Sequence, residues 1–122
     1  MSTDLLLGLD VGSTTVKTVV LDTDGAILFS RYARHNSEVH ATVSALLAEV
    51  NERFTDASWR MSVAGSGAIT LAERLGISFV QEVIASSLSI RTRLPEADVA
   101  IELGGEDAKL TFFKGGLDQR MN

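Results

Sequence analysis

The first group of residues whose types and spacing could do chemistry is Asp10, Gly12, Ser13, Thr14 and Lys17. Gly12 permits backbone angles that a side chain would forbid, and consecutive N–H groups in such a turn form a concave site for anions. Lys17 could place a compact positive charge on a phosphate oxygen, and Asp10 could hold Mg²⁺, usually through water. The group therefore predicts phosphate binding, but the same residues also fit an ordinary β-hairpin.

The known phosphate motifs that begin a helix do not match this stretch. A P-loop needs Gly-Lys-Ser or Gly-Lys-Thr, and a dinucleotide fingerprint needs a helix pattern directly after its glycines. Here Val16 to Leu21 is β-branched and apolar apart from Lys17 and Thr18, which predicts a strand. The run Leu5 to Leu9 predicts a preceding strand buried on both faces. The chemistry would therefore lie at the tip of a hairpin.

A second group near the other end of the chain repeats this order. Glu102 ends a predicted strand, Gly104 and Gly105 follow, and Lys109 lies on the predicted return strand. Two such hairpins can face one nucleoside triphosphate from both sides, with a carboxylate from each ordering Mg²⁺ or the attacking water. The joint occurrence is more specific than either hairpin alone. Two unrelated hairpins are the alternative.

The elements between the two groups follow from hydrophobic periodicity. Asp22 to Gly25 is a turn, and Ala26 to Arg34 a third strand that completes a meander. Apolar residues at helical spacing predict a helix from Asn36 to Phe54, capped by Asn36 or by Ser37. His35 and His40 are predicted to be solvent-exposed at the start of this helix and not to bind metal. The residues that form its apolar stripe are Val39, Val43, Leu46, Leu47, Val50 and Phe54.

Strands and short helices fill the second half. Trp59 to Val63 alternates as a fourth strand, and Gly65-Ser66-Gly67 follows it, either to bring backbone close to a ligand or only to turn the chain. A short helix ends at Gly76. The remaining predictions are a short strand at Ile77 to Val80, a helix at Glu82 to Leu94 with Val83, Ile84 and Leu88 inward, a buried strand at Asp98 to Leu103 and a return strand at Ala108 to Lys114.

Composition limits the class of protein. The 122 residues suffice for one domain with a real core, and 45% hydrophobic with 22% charged residues is typical of a globular protein. The net charge of −5 argues against binding nucleic acid or an anionic membrane nonspecifically. No stretch has transmembrane length or the form of a signal peptide. With no cysteine, these residues cannot supply a disulfide or a thiolate ligand, and a cytoplasmic location is expected.

With both hairpins in view, the sequence resembles the sugar kinase, Hsp70 and actin ATPase superfamily. LGLDVGSTTVKTVVLD resembles its first phosphate motif, and IELGGEDAKLTFF its second. Within the superfamily it is most similar to the BadF/BadG/BcrA/BcrD ATPases, the activators of 2-hydroxyacyl-CoA dehydratases and benzoyl-CoA reductases. Their second motif typically reads Asp-Ile-Gly-Gly-Gln-Asp-Ser/Ala-Lys, and here it runs from Glu102 to Lys109. The resemblance implies an α/β, ribonuclease H-like lobe with a mixed five-stranded sheet and flanking helices.

The resemblance also implies roles for individual residues. Asp10 and Glu102 would be catalytic residues and ligands of Mg²⁺. The phosphates of ATP would contact both hairpins. The expected phosphate-binding residues are Gly12, Ser13, Thr14, Lys17, Gly104, Gly105 and Asp107. Three motifs depart from the family pattern. They are Glu102 in place of its usual Asp, Gly65-Ser66-Gly67-Ala68 in place of its Gly-Tyr-Gly-Arg, and Ala85-Ser86-Ser87 in place of its frequent Cys-His-Ala.

The expected function follows from the resemblance. It covers residues 1–122 as a single N-terminal lobe, about half of the family's ATPase domain, and so predicts a fragment of a longer protein. In that protein ATP hydrolysis would drive an electron from a [4Fe-4S] cluster, shared by a homodimer, to a dehydratase or reductase component. The fragment alone is expected to be nearly inactive. The alternatives are a small-molecule kinase lobe of the same superfamily and a noncatalytic protein-interaction domain.

Overall fold

A computed structural model of the chain describes residues 3–103, 108–113 and 118–121. These fold into two compact units, Met1–Gln81 and Glu82–Asn122. Within the described ranges, no helix combines the length and the apolar character that crossing a membrane would require.

The first unit is built on a mixed five-stranded sheet, as the sequence predicts. Its strands are β1 (Thr3–Val11), β2 (Thr15–Leu21), β3 (Ile27–Arg34), β4 (Ala57–Ala64) and β5 (Ser78–Phe79), in the spatial order β3-β2-β1-β4-β5. The first three form the predicted antiparallel meander. β4 lies parallel to β1 and β5 parallel to β4. The carboxyl ends of β1 and β4 therefore meet at one edge of the sheet.

The core lies on one face of this sheet, beneath helix α1 (Val39–Arg53). Alternate residues of β1, from Leu5 to Val11, are buried, whereas Leu6, Gly8 and Asp10 are only half-buried. The prediction that β1 is buried on both faces is therefore wrong, because the residues on one face are buried and those on the other are partly exposed to solvent. The predicted stripe of α1 is confirmed, and the buried residues of that helix are Val43, Leu46 and Val50.

The start of α1 differs from the prediction. Its N-cap is Glu38, and no side chain caps it. Asn36 and Ser37, predicted as caps, instead have positive φ values of 49° and 65°. They form a tight left-handed corner between β3 and the helix, so their side chains do not occupy the cap position. Helix α2 (Ile69–Leu75) does end as predicted, with Gly76 left-handed at its C-cap.

The second unit contains helix α3 (Glu82–Arg93) and a separate antiparallel sheet of β6 (Val99–Leu103), β7 (Ala108–Phe112) and β8 (Asp118–Met121). The predicted inward face of α3 is wrong, because Ile84 and Leu88 are exposed and Ser87 is buried. β6 was predicted to be buried, yet Ile101 is 68% exposed. Apolar sequence runs predict strands correctly here, but they do not reveal which surface covers them.

Candidate functional site

The hairpin of β1 and β2 places the first predicted group at one edge of the sheet. β1 ends at Val11 and β2 begins at Thr15, and the Gly12 N–H donates to the Thr15 carbonyl across 2.9 Å. Ser13 and Thr14 therefore form the tip of the turn. The structure thus brings the predicted turn residues together between two strands of the central sheet, where the sheet fixes their position.

Asp10 and Lys17 face each other across this hairpin. They are register partners, and the Lys17 Nζ lies 3.8 Å from the Asp10 Oδ2. The same ammonium group lies 5.8 Å from the centre of the Tyr32 ring, on the next strand. The Lys17 side chain is 55% exposed, so this pair is weak in water and its charges stay accessible. The site therefore offers one cation and one carboxylate beside the turn.

The Gly65-Ser66-Gly67 turn after β4 packs directly against the first hairpin. The Gly67 N–H donates to the Val11 carbonyl across 2.9 Å. A Cβ atom on Gly65 would lie 2.3 Å from the Val11 carbonyl oxygen and 2.7 Å from the Asp10 Oδ1. The glycines therefore permit this turn to pack closely on the protein itself, and its approach to a ligand stays a prediction. The neighbour it approaches is the strand end that carries Asp10.

His35 is a site residue that the sequence reasoning missed. Its side chain was predicted to be exposed, but it is only 6% exposed. Its Nε2 lies 3.0 Å from the Gly12 carbonyl oxygen, and its Nδ1 accepts a hydrogen bond from the Ser37 N–H. Its backbone N–H donates to the Thr14 carbonyl. A signal was present, because His35 continues the alternation of Phe29 and Ala33 on the covered face of β3.

The turn offers hydrogen-bond donors to a ligand. The carbonyls of Gly12 and Thr14 are both occupied by His35. Within the described part of the chain, the backbone N–H groups of Ser13 and Thr14 have no acceptor. Adjacent free N–H groups beside a lysine form the arrangement that binds an anion such as phosphate. Phosphate binding by this turn stays a prediction.

The second predicted group lies in the second unit. Glu102 and Lys109 are register partners in the β6–β7 pair, just as Asp10 and Lys17 are in the first hairpin. The Glu102 side chain is exposed. Three further predicted site residues, Gly104, Gly105 and Asp107, lie outside the described residues. The backbone pattern of acid opposite lysine is thus repeated, while the roles of the second group stay predictions.

The residues present can be compared with the groups that the resemblance implies. Mg²⁺ keeps several waters and needs only one or two carboxylates when phosphate oxygens supply other ligands, so the partly exposed Asp10 carboxylate fits it. Among the described residues, no three His, Asp or Glu side chains cluster as a metal cage would require. A [4Fe-4S] cluster does not fit this chain, which contains no cysteine.

Comparison with known proteins establishes the fold. No family model and no curated protein matches the chain. Among solved structures, component A of (R)-2-hydroxyglutaryl-CoA dehydratase from Acidaminococcus fermentans aligns over 98% of this chain and 48% of its own, with a TM-score of 0.81 and 21% identity. The activator of 2-hydroxyisocaproyl-CoA dehydratase from Clostridium difficile, solved with bound ADPNP, aligns over 97% and 45%, with a TM-score of 0.71 and 24% identity.

A Ppx/GppA phosphatase from Aquifex aeolicus aligns over 97% of this chain and 51% of its own, with a TM-score of 0.63 and 14% identity. The chain therefore has an actin-like ATPase, ribonuclease H-like fold, and the predicted fold class is confirmed. It spans about half the length of the solved structures it matches. Because phosphatases share the fold, the reaction must be argued from the residues of the site.

Proposed function

We propose that this chain is the N-terminal phosphate-binding lobe of an ATP-hydrolysing activator that serves an acyl-CoA dehydratase or reductase. The observation that carries the proposal is the Gly12–Thr14 turn, in which the N–H groups of Ser13 and Thr14 are free, at the tip of the hairpin that pairs Asp10 with Lys17. A protein of the same fold, the C. difficile activator, has been solved with ADPNP. Similarity to that activator and to a dehydratase component favours this proposal over a small-molecule kinase.

In the proposed complex the first hairpin binds the phosphates. The N–H groups of Ser13 and Thr14 donate to phosphate oxygens, and Lys17 balances their charge. Lys17 can turn from Asp10 to a phosphate at small cost, because the exposed pair at 3.8 Å contributes little. Asp10 then holds a hydrated Mg²⁺. When bound, that ion neutralises charge on the transferring phosphoryl group.

The second hairpin is proposed to act on the γ-phosphate side. Gly104 and Gly105 would donate N–H groups, and Asp107 would lie beside the terminal phosphate. Glu102 would orient the attacking water or share the metal with Asp10. Its carboxylate reaches one methylene further than the Asp typical of the family. The repeated register of acid opposite lysine supports a matched role for the two hairpins.

The rest of the activity is proposed for a longer protein. Closing and opening of two lobes would couple ATP hydrolysis to transfer of a low-potential electron to the dehydratase or reductase component. The [4Fe-4S] cluster would need cysteine thiolates from outside these 122 residues. Both subunits of a homodimer of the longer protein would supply them. The cytoplasm is the proposed location.

A titration with Mg·ADPNP tests the proposal. In the ¹⁵N-labelled chain, we expect the amide signals of Ser13 and Thr14 to shift, because phosphate oxygens would accept their hydrogen bonds. Asp10→Ala should weaken this response by removing the metal ligand. Asp24→Ala, which removes an exposed acid from another turn, is the matched control and should leave it unchanged. If the turn does not respond at millimolar nucleotide, the proposal is wrong.

A further inference from the structure

We propose that His35, as the neutral tautomer protonated on Nε2, is the positioning residue that orients the Gly12–Thr14 turn for phosphate binding. This inference rests on the proposed function for the identity of the ligand, a phosphate group. The contacts between His35 and the turn do not depend on the proposed function. In this proposal no atom of His35 contacts the nucleotide itself. It acts through the two carbonyl groups it holds, one at each end of the turn.

The hydrogen bonds of the ring define the tautomer. The Ser37 N–H donates to the Nδ1 across 3.1 Å, so the Nδ1 must carry a lone pair. The Nε2 lies 3.0 Å from the Gly12 carbonyl oxygen, which can only accept, so the Nε2 must carry the proton. Both contacts are satisfied only by the neutral Nε2–H form. The ring is buried, so an unsatisfied nitrogen there would be costly.

Holding the Gly12 carbonyl directs the N–H group of Ser13. In a trans peptide the C=O and the following N–H point in opposite directions. Since the Gly12 carbonyl points at His35, the Ser13 N–H points away from it. The His35 backbone N–H holds the Thr14 carbonyl across 3.0 Å, which fixes the peptide between Thr14 and Thr15. The peptide that carries the Thr14 N–H lies between these two held peptides. With both carbonyls occupied, neither can rotate toward an incoming anion and repel it.

The local backbone is strained where it completes this arrangement. Asn36 and Ser37 are consecutive non-glycine residues with positive φ, 49° and 65°. Such angles are uncommon outside glycine, and for serine they are unfavourable. They return the Ser37 N–H to the His35 ring, two residues back along the chain. Strain that is retained to satisfy one ring nitrogen is expected where that ring has a task.

The first test uses the unaltered chain. Long-range ¹H–¹⁵N spectra at neutral pH distinguish a protonated imidazole nitrogen from one with a lone pair. We expect the His35 Nε2 to be protonated and the Nδ1 not, with no such preference required of the exposed His40. A ring protonated on Nδ1, or on both nitrogens, would overturn the proposal. This measurement requires neither nucleotide nor a variant.

Two conservative variants then separate the two ring contacts. In His35→Gln the amide N–H₂ can replace the Nε2 as donor to the Gly12 carbonyl. In His35→Asn the side-chain oxygen can replace the Nδ1 as acceptor, but the amide is too short to reach Gly12. His40→Gln is the matched control at the exposed histidine.

We expect the affinity of His35→Gln and of His40→Gln for Mg·ADPNP to stay within about threefold of that of the unaltered chain. The affinity of His35→Asn should fall about tenfold, which corresponds to the loss of one hydrogen bond. Without nucleotide, the Ser13 and Thr14 amide signals should move in His35→Asn and be largely restored in His35→Gln. Equal affinity in a folded His35→Asn, or equal losses in both His35 variants, would overturn the proposal. If His35→Asn does not fold, the tautomer of His35 and the nucleotide affinity of His35→Gln still test the proposal.

The failure of this proposal is distinguishable from that of the proposed function. If Mg·ADPNP leaves the unaltered chain unchanged, the proposed function fails. The tautomer of His35 and the nucleotide-free amide signals of Ser13 and Thr14 would still test the positioning role. Conversely, normal binding with the wrong tautomer would refute the role of His35 alone.

Discussion

Two glycines of the first unit have similar φ angles and different surroundings. Gly25 has a φ of +89° and Gly65 a φ of +99°. A Cβ atom on Gly25 would meet nothing within 4 Å, whereas one on Gly65 would collide with the backbone of Val11 and the carboxylate of Asp10. The requirement for glycine at position 25 is therefore conformational, and at position 65 it is also steric.

This difference predicts the stabilities of two matched variants. Gly25→Ala should lower the free energy of unfolding by about 1–2 kcal/mol, the cost of a left-handed alanine. Gly65→Ala should lower it by about 3 kcal/mol or more, because a backbone carbonyl must also move. Urea denaturation of both variants measures the two values. Equal losses would mean that the Gly65 turn does not press against β1 as closely as described.

At the scale of elements, a bidentate ion pair between Arg31 and Glu49 joins β3 to α1. The Arg31 Nε lies 3.1 Å from the Glu49 Oε1, and the Nη2 lies 2.6 Å from the Oε2. The hydrogen bonds from Arg31 lower the pKa of Glu49 below its ordinary value of 4.5, and the charges of Arg31 and Arg53 act in the same direction. The pair ties the edge strand to the helix that covers it.

The lowered pKa of Glu49 predicts a dependence of stability on pH. Because the folded pKa lies below the unfolded value, the pair stabilises fully above about pH 4.5 and loses this contribution as pH falls through the folded pKa. Glu49→Gln should therefore be less stable than the unaltered chain near neutral pH, and the difference should shrink in acid and in high salt. Denaturant midpoints across pH measure it. Glu52→Gln, at another exposed acid of α1, should show a smaller pH-dependent difference.

For the molecule as a whole, the proposed site needs both hairpins, and the chain spans about half of the structures it matches. Large apolar side chains of the second unit are exposed; they include Ile84, Leu88, Leu94, Ile101 and Leu103. A nucleotide held by one lobe alone loses a large share of its contacts.

We therefore predict that this chain by itself binds Mg·ATP more weakly than micromolar and releases no phosphate. Titration calorimetry and a phosphate-release assay measure the two quantities. Micromolar binding that is lost in Asp10→Ala would contradict the prediction and would indicate that one lobe suffices for the nucleotide.

Several features were predictable because they depend on neighbours in sequence. The meander from Leu5 to Arg34 follows from alternation and turn residues, and α1 follows from its apolar stripe. The pairing of Asp10 with Lys17 follows from the short turn between their strands, which fixes the register. The facing pattern of α3 was not predictable, because Ile84 and Ser87 are assigned to a surface by what packs against them.

The sequence by itself determined the strands of the meander and the hairpin that carries the candidate phosphate turn, since periodicity and glycine placement act over a few residues. The fold class followed from the resemblance of the two glycine motifs to a known superfamily. Only the tertiary structure decided that Gly65 abuts Asp10 and that His35 holds Gly12. Those contacts join residues far apart in the chain, and they exist because β4 lies parallel to β1 and because β3 ends beside the turn. The hydrogen-bond partner of a side chain depends on which backbone segment the strand order of the sheet places next to it. The local sequence pattern does not specify that strand order.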